Sequence, residues 1–311
     1  MKITDFTANH IEQATVLAKQ NYAEARGFVP ALPRVDALPD LSEFAENNMG
    51  IAAFEGDKMT GFLCAYVFDN AFGITDVRGV WSPIHANAAA GDKNRIYQRL
   101  YQSAAEKWAA AGVLSHAVTL YAHEQTAIQA LFNYGFGLRC VDAIKRIETT
   151  GRNSIEAFEF SELPREEAGG ITALLNASRA HMGKSPCFMS VPPASEAEVV
   201  DFVVRQGARI FIARHQKTII AFLQIVASGE NFVCDASDMM NICGAYLLPE
   251  YRGKGVFDGL LGYAEAILAQ DGYRRIGVDF ESFNPTALGF WLKHFTAYTR
   301  SVVRRIAENV K

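Results

Sequence analysis

"LLPEYRGKGVFDGLLGYAEAIL", residues 247–268, sets two glycines and a lysine between an apolar strand pattern and an amphipathic helix pattern. Upstream, "MMNICGAYLL" (239–248) reads as a strand running directly into the loop. Downstream, Val256, Phe257, Leu260, Leu261, Ala264 and Leu268 recur at the spacing of one buried helix face. A helix starting here points its first amides into the loop, where they lack intrahelical partners and the macrodipole makes them mildly positive. Gly253 and Gly255 let the backbone approach a guest closely, and Lys254 adds a cation. An anionic phosphate or pyrophosphate is the ligand this arrangement predicts.

Two other phosphate-loop patterns fail. "MGKSP" (182–186) has the tail of a Walker A loop, but Ser178 stands where its first glycine belongs. Gly253 and Gly255 fit the start of a dinucleotide fingerprint, but Asp258 occupies its third glycine position.

The helix pattern has a counterpart about 160 positions earlier, at Ile96, Tyr97, Leu100, Tyr101, Ala104 and Trp108. Gly112 and Gly272 end the two helices. "HAVTLYA" (116–122) and "IGVDFES" (276–282) follow as alternating strands, and then come the helical "QTAIQALFNYGF" (125–136) and "PTALGFWLKHF" (285–295). The halves close on "VDAIKRI" (141–147) and "SVVRRI" (301–306), separated by the polar "ETTGRNS" (148–154). The expected fold is α/β (α+β), with domains 1–150 and 151–311, each a mixed, mostly antiparallel sheet flanked by helices.

Of the 311 residues, 50% are hydrophobic and 21% charged, with a formal net charge of -4. Without a basic block, nucleic acid is not an expected partner. No apolar run approaches the roughly 18 residues of a membrane span, and charges interrupt any signal-peptide core in residues 1–30. The five cysteines form no C-x-x-C pair and the histidines no H-x-x-x-H pattern, so free thiols, no metal site and a cytoplasmic location are expected.

With these residues in place, the sequence resembles the GCN5-related N-acetyltransferase (GNAT) family. Arg252, Gly255 and the preceding "LLPEY" match its R/Q-x-x-G-x-G/A acetyl-CoA loop, and "NPTALGFWLKHF", from Asn284, is similar to its N-x-x-A-x-x-x-Y-x-x-x-G-F segment. The C-terminal half is similar throughout and the N-terminal half more faintly, as in a tandem member with a degenerate first domain. The resemblance implies acetyl-CoA as co-substrate, held by Arg252, Gly253, Lys254, Gly255, Val256, Phe257, Asn284 and Trp291. It further implies that backbone amides around Ala245, Tyr246 and Leu247 hold the pantetheine and polarise the thioester. Two residues depart from the pattern: Phe257 stands where a small residue belongs, and Trp291 replaces the tyrosine that often protonates the leaving thiolate. An indole N–H is no proton-transferring acid at neutral pH.

The family's reaction is direct attack of an amine on the thioester, which requires a base. Asp279 and Glu281 share one face of strand 276–281, and Asp279 lies five positions before Asn284, a spacing that some family members use for the base. Asp279 is the expected base, with Glu281 second. The acceptor is an amine of a small molecule or protein, and a homodimer is a possible assembly. The rival reading is a non-catalytic acyl-CoA-binding or sensing protein. In the first half, residues 82–98 replace the loop, with Asp92 at the place of Arg252, so that half is expected to hold no cofactor.

Overall fold

Strand β1 (Lys2–Asp5) and helix α1 (Ile11–Phe28) open the chain in a computed structural model that describes residues 1–71, 77–148 and 157–306. There follow α2 (Ser42–Glu46), β2 (Ile51–Glu55), β3 (Lys58–Leu63), β4 (Tyr66–Phe68), β5 (Gly79–Ser82) and β6 (Asn87–Ala89). Helix α3 (Lys93–Ala110), β7 (Ser115–Tyr121), α4 (Gln125–Phe132) and β8 (Gly137–Arg146) complete the first repeat. The second comprises β9 (Glu159–Leu163), α5 (Thr172–Met182), α6 (Glu196–Gln206), β10 (Arg209–His215), β11 (Thr218–Val226) and β12 (Met239–Leu247). It continues with α7 (Val256–Gln270), β13 (Arg275–Glu281), α8 (Pro285–His294) and β14 (Thr296–Ala297), and the chain ends on β15 (Thr299–Arg305).

The described chain divides into two compact units, Met1–Asp142 with Ala297–Lys311, and Ala143–Thr296. These do not coincide with 1–150 and 151–311. Most of the expected linker, residues 149–154, lies outside the described residues, as do the starts of two expected strands at 74–76 and 155–156. The larger difference is β15: "SVVRRI", read as the closing strand of the second half, lies in the first unit between β7 and β8. It pairs antiparallel with the whole of β7, from Thr299 opposite Tyr121 to Arg305 opposite Ser115. Val302 is fully buried there, and Thr299 Oγ1 accepts from the Asp142 amide at 3.0 Å while donating to the Asp142 carboxylate. Pattern alone cannot tell which sheet receives such a strand, because any strand edge offers the same backbone groups.

In the first unit β1, β2, β3 and β6 form an antiparallel sheet, and a second sheet runs β4-β5-β7-β15-β8, with β5 parallel to β7. The second unit has the order β13-β12-β11-β10-β9, antiparallel except for β12 and β13. Its β10–β11 hairpin turns through Gln216 and Lys217, both at positive φ as a two-residue hairpin turn demands. The repeated helix face holds in both units. All six positions from Ile96 to Trp108 on α3 are buried, and so are all six from Val256 to Leu268 on α7. Helix α6 went unread in the sequence. Its start is a capping box in which the Ser195 side chain accepts from the Glu198 amide at 3.3 Å and Glu198 accepts from the Ser195 amide at 2.7 Å.

The placement of β15 carries a stability consequence. Val302→Asp puts an unpaired charge into the first unit's core, with an expected loss of at least about 4 kcal/mol. Urea denaturation of the full chain measures it, and a loss within the range of an exposed substitution would contradict the placement.

Candidate functional site

Strands β12 and β13 run side by side only from Met239 opposite Arg275 to Ile242 opposite Val278. Beyond that they part. Against β11, Gln224 lies opposite Gly244 and Ile225 opposite Ile242, so Cys243 is an extra residue that bulges out of β12 as the strands separate. The last residues of β12, including Ala245, Tyr246 and Leu247, therefore have a ladder on the β11 side and none on the other.

After β12 the chain makes a single 3-10 turn at Pro249–Tyr251 and passes Arg252 in extended conformation. It then visits the left-handed region twice, at Gly253 (φ +75°) and Gly255 (φ +74°). A Cβ on Gly253 would meet nothing within 4 Å, so backbone angle, and not crowding, selects glycine there. Helix α7 begins at once, with Gly255 as an N-cap that offers no side chain. Its first bond to the loop is Gly259 N–H to Gly255 C=O at 2.9 Å. Among the described residues, the amides of Gly253, Lys254, Gly255, Val256 and Phe257 find no backbone acceptor.

Those amides border a cavity of about 670 Å³ within the second unit. Of the residues expected to hold the co-substrate, Ala245, Tyr246 and Leu247 form one wall. Arg252, Gly253, Gly255, Val256 and Phe257 form the loop side, and Asn284 and Trp291 lie on the α8 side. Lys254 is the exception. It is exposed and outside the lining, with its ammonium 5.4 Å from the Tyr251 ring, because the glycines on either side aim its side chain away. Arg252 folds back on β12, with Nε donating to the Leu247 carbonyl at 3.2 Å and the guanidinium 5.5 Å from the Tyr246 ring.

The two departures from the family pattern lie together. Phe257 lies at the start of α7 with its ring in the cavity lining. It packs edge-on against Phe290 at 5.1 Å and Trp291 at 6.0 Å, and all three rings line the cavity. Trp291 is buried and also meets Phe295 edge-on, so its ring is a wall. Asn284 caps α8, accepting from the Ala287 amide at 3.4 Å, while its own amide donates to the Met182 sulfur at 3.3 Å.

Asp279 and Glu281 occupy the expected face of β13, opposite the buried Ile276, Val278 and Phe280, but neither lines this cavity. Asp279 is exposed yet closely surrounded by protein, and partial loss of hydration pushes its carboxyl above the usual carboxylate range. It faces the bulged Cys243, whose thiol is pushed up to about 12 by burial and by the Asp279 charge. Glu281 acts on the thiol of Cys187, raised first by burial and then by that carboxylate.

His181 and Met182, in the segment that the resemblance sets beside the acceptor, line the cavity from the end of α5. Other lining residues were not assigned to the site from sequence, Ser178 of the same helix among them. Thr286, Ala287, Phe290 and Lys293 share a stripe of α8 with Trp291, which helical spacing could have disclosed. Asp258, in the first turn of α7, would oppose an anion at the loop were it alone. Burial works against its charge, but Lys293 at 2.9 Å and His294 at 3.0 Å hold it below its ordinary value.

The first unit treats the equivalent region differently. Strands β5 and β7 pair from Gly79–Ser115 to Ser82–Val118, and beyond them the Asn87 amide fills the opening. It donates to Ser82 Oγ, the Pro83 carbonyl and the Thr119 carbonyl at 3.0–3.1 Å, while its oxygen accepts from Tyr97 at 2.7 Å. Helix α3 starts with its N-terminus occupied, Asp92 accepting from the Arg95 amide at 3.1 Å. Glu24, His123 and Glu124 in this unit could converge on a metal, but the Lys93 ammonium already bridges Glu24 and Glu124 at 2.9 and 2.8 Å.

Residues 180–295 match the model of the Acetyltransferase (GNAT) family. No curated protein matches the sequence. Among solved structures, a GCN5-related N-acetyltransferase from Sphaerobacter thermophilus is similar with a TM-score of 0.59 at 11% identity, covering 98% of this chain and 95% of that one. A GNAT-family acetyltransferase from Colwellia psychrerythraea gives a TM-score of 0.50 at 14% identity, with 99% and 100% covered. A tandem GNAT protein from the clavulanic acid biosynthesis pathway gives 0.50 at 11% identity, with 100% and 99% covered. At these identities the likeness is one of fold, and it spans both repeats. Parted strands, a bare helix N-terminus and the matched segment agree: residues 180–295 of this chain match the GNAT acetyltransferase family model and carry its fold.

Proposed function

We propose that the second unit is an acyl-CoA-dependent N-acyltransferase site that uses acetyl-CoA and acts on an amine of a small molecule or protein. The observation that carries this reading is the set of amides without backbone acceptors at Gly253, Gly255, Val256 and Phe257, residues that line a cavity beside the unpaired edge of β12. These groups fit the co-substrate: an anionic pyrophosphate would accept from the amides, and an amide-bearing pantetheine arm would pair with the free edge at Ala245–Leu247. Bound acetyl-CoA would supply the activated acyl group.

The chain's own residues do the rest. The glycines hold the amides outward, Lys293 neutralises Asp258 beside them, and the Phe257, Phe290 and Trp291 rings exclude water from one wall. The Asp279 carboxylate, on β13 outside the cavity lining, would take the proton from the acceptor's ammonium through an intervening water. Its raised pKa makes it a stronger base than an ordinary aspartate. Trp291 releases no proton, so a leaving thiolate would take one from water or another group. The first unit takes no part in binding acyl-CoA, since Asn87 and Asp92 occupy the equivalent places.

The same Trp291 gives the second reading its support: a wall in place of an acid suits a protein that binds acyl-CoA without turning it over. Asp279→Asn separates the two. In an enzyme it keeps acetyl-CoA affinity and loses turnover by roughly 100-fold or more, the range of a general base. In a sensor no acceptor is turned over by the parent chain.

Two measurements test the site. Isothermal titration of acetyl-CoA into the full chain should show one site per chain, weakened at least about tenfold by Gly255→Glu, which strains the left-handed turn and sets a carboxylate beside the phosphates. Two sites would remove the proposal for the first unit, and no binding at millimolar ligand would remove the proposal as a whole. The second is pH dependence. With its pKa raised in the fold, Asp279 contributes nothing below its ordinary 3.8, where folded and unfolded chains are both protonated, and it destabilises the fold increasingly as pH rises through the folded pKa. Asp279→Asn is therefore expected to be more stable than the parent at about pH 7, with the difference closing at about pH 3. Urea midpoints that move the opposite way would contradict the raised pKa.

A further inference from the structure

We infer that the first unit carries a binding site for a small phosphate monoester, between α1 and the loop that follows it. A cavity of about 290 Å³ lies there, remote in sequence from the acyl-CoA loop. One wall is a stripe of α1 in which Lys19, Tyr22 and Arg26 are spaced so that their side chains share a face. The other is the loop segment that carries Arg34 and Asp36. The loop is pinned to the helix, for the buried Tyr22 hydroxyl donates to the Pro33 carbonyl at 2.7 Å, and Leu32 and Pro33 are themselves buried. The walls are thus set before any ligand arrives, which lowers the ordering cost of binding.

The charge of this cavity runs against that of the chain. Three cations, Lys19, Arg26 and Arg34, face one carboxylate, Asp36, a formal balance of three minus one, or +2, in a protein of net charge -4. No ion pair engages Lys19, Arg26 or Arg34 among the described residues. Glu24 on the same helix is taken up by Lys93. Arg26 Nε is shut away from water with no hydrogen-bond acceptor. A donor left in that state is costly, and the cost is removed only when the Arg26 side chain turns its guanidinium toward an anion in the cavity.

Phosphate is the anion that suits this set. Guanidinium groups present planar, two-pronged donors that match phosphate oxygens, and Lys19 adds a point charge. A monoester is close to a dianion at neutral pH and balances the +2. The volume leaves room for a few carbons beyond the phosphate and excludes a nucleotide the size of coenzyme A. Asp36 would accept from a hydroxyl or ammonium on that remainder.

The test is titration of inorganic phosphate and of glycerol phosphate into the full chain at constant ionic strength, followed by calorimetry and by phosphorus NMR. It is run in the parent and in Gly255→Glu, which disables the anion loop of the second unit. Saturable binding of both probes that survives Gly255→Glu is expected. Arg26→Gln and Arg34→Gln should each weaken it about tenfold, and Arg26→Lys should retain most of it. Arg34 lies on an exposed loop, so its substitution keeps the test decisive should Arg26→Gln fail to fold. Absence of saturation, loss in Gly255→Glu alone, or indifference to both glutamine variants would overturn the proposal. Succinate binding as tightly as glycerol phosphate would overturn the phosphate assignment.

Discussion

The parting of β12 from β13 after the Ile242–Val278 pair is the constraint on which the second unit's site depends. A parallel pair inside a sheet normally continues until one strand ends, because every buried backbone group needs a partner. Here the Cys243 bulge turns β12 while its ladder with β11 continues to Leu247, so one edge loses its neighbour and the other keeps it. The free edge, the glycine loop and the bare first turn of α7 then follow one another along the chain. Each presents backbone donors, and together they border one cavity.

Backbone donors are indifferent to side-chain change, and the site accordingly tolerates unusual residues around them. Phe257 is accommodated because two further rings, Phe290 and Trp291, receive its edges. Asp258 is accommodated because Lys293 and His294 stand against it from α8. The charge that looks wrong for an anion site is thereby countered from the neighbouring helix, and the aromatic group that looks too large becomes part of the wall.

The two repeats share a helix face and a parallel strand pair but use the opening between the strands differently. In the first unit Asn87 bonds to Ser82, Pro83, Thr119 and Tyr97, which consumes the backbone acceptor that an open cleft would expose. Asp92 consumes the amide at the start of α3. These side chains satisfy internally what the second unit leaves without a backbone partner. The first unit has a polar plug where the second has a glycine loop.

The sequence by itself determined what local chemistry can determine. The buried faces of α3 and α7 could be read from helical period, the loop from its glycines, and α8's cap from Asn284, because each depends on neighbours within one or two turns. Even the unread α6 was present locally in the Ser195–Glu198 box. Tertiary structure decided which sheet receives β15, that Lys254 points away while Lys293 lines the cavity, and that Asp279 is crowded enough to raise its pKa. Those outcomes join residues such as Thr299 with Asp142, Lys293 with Asp258 and Cys243 with Asp279. Strand edges and charges carry no address in their own segment, and only the packed chain brings their partners within reach.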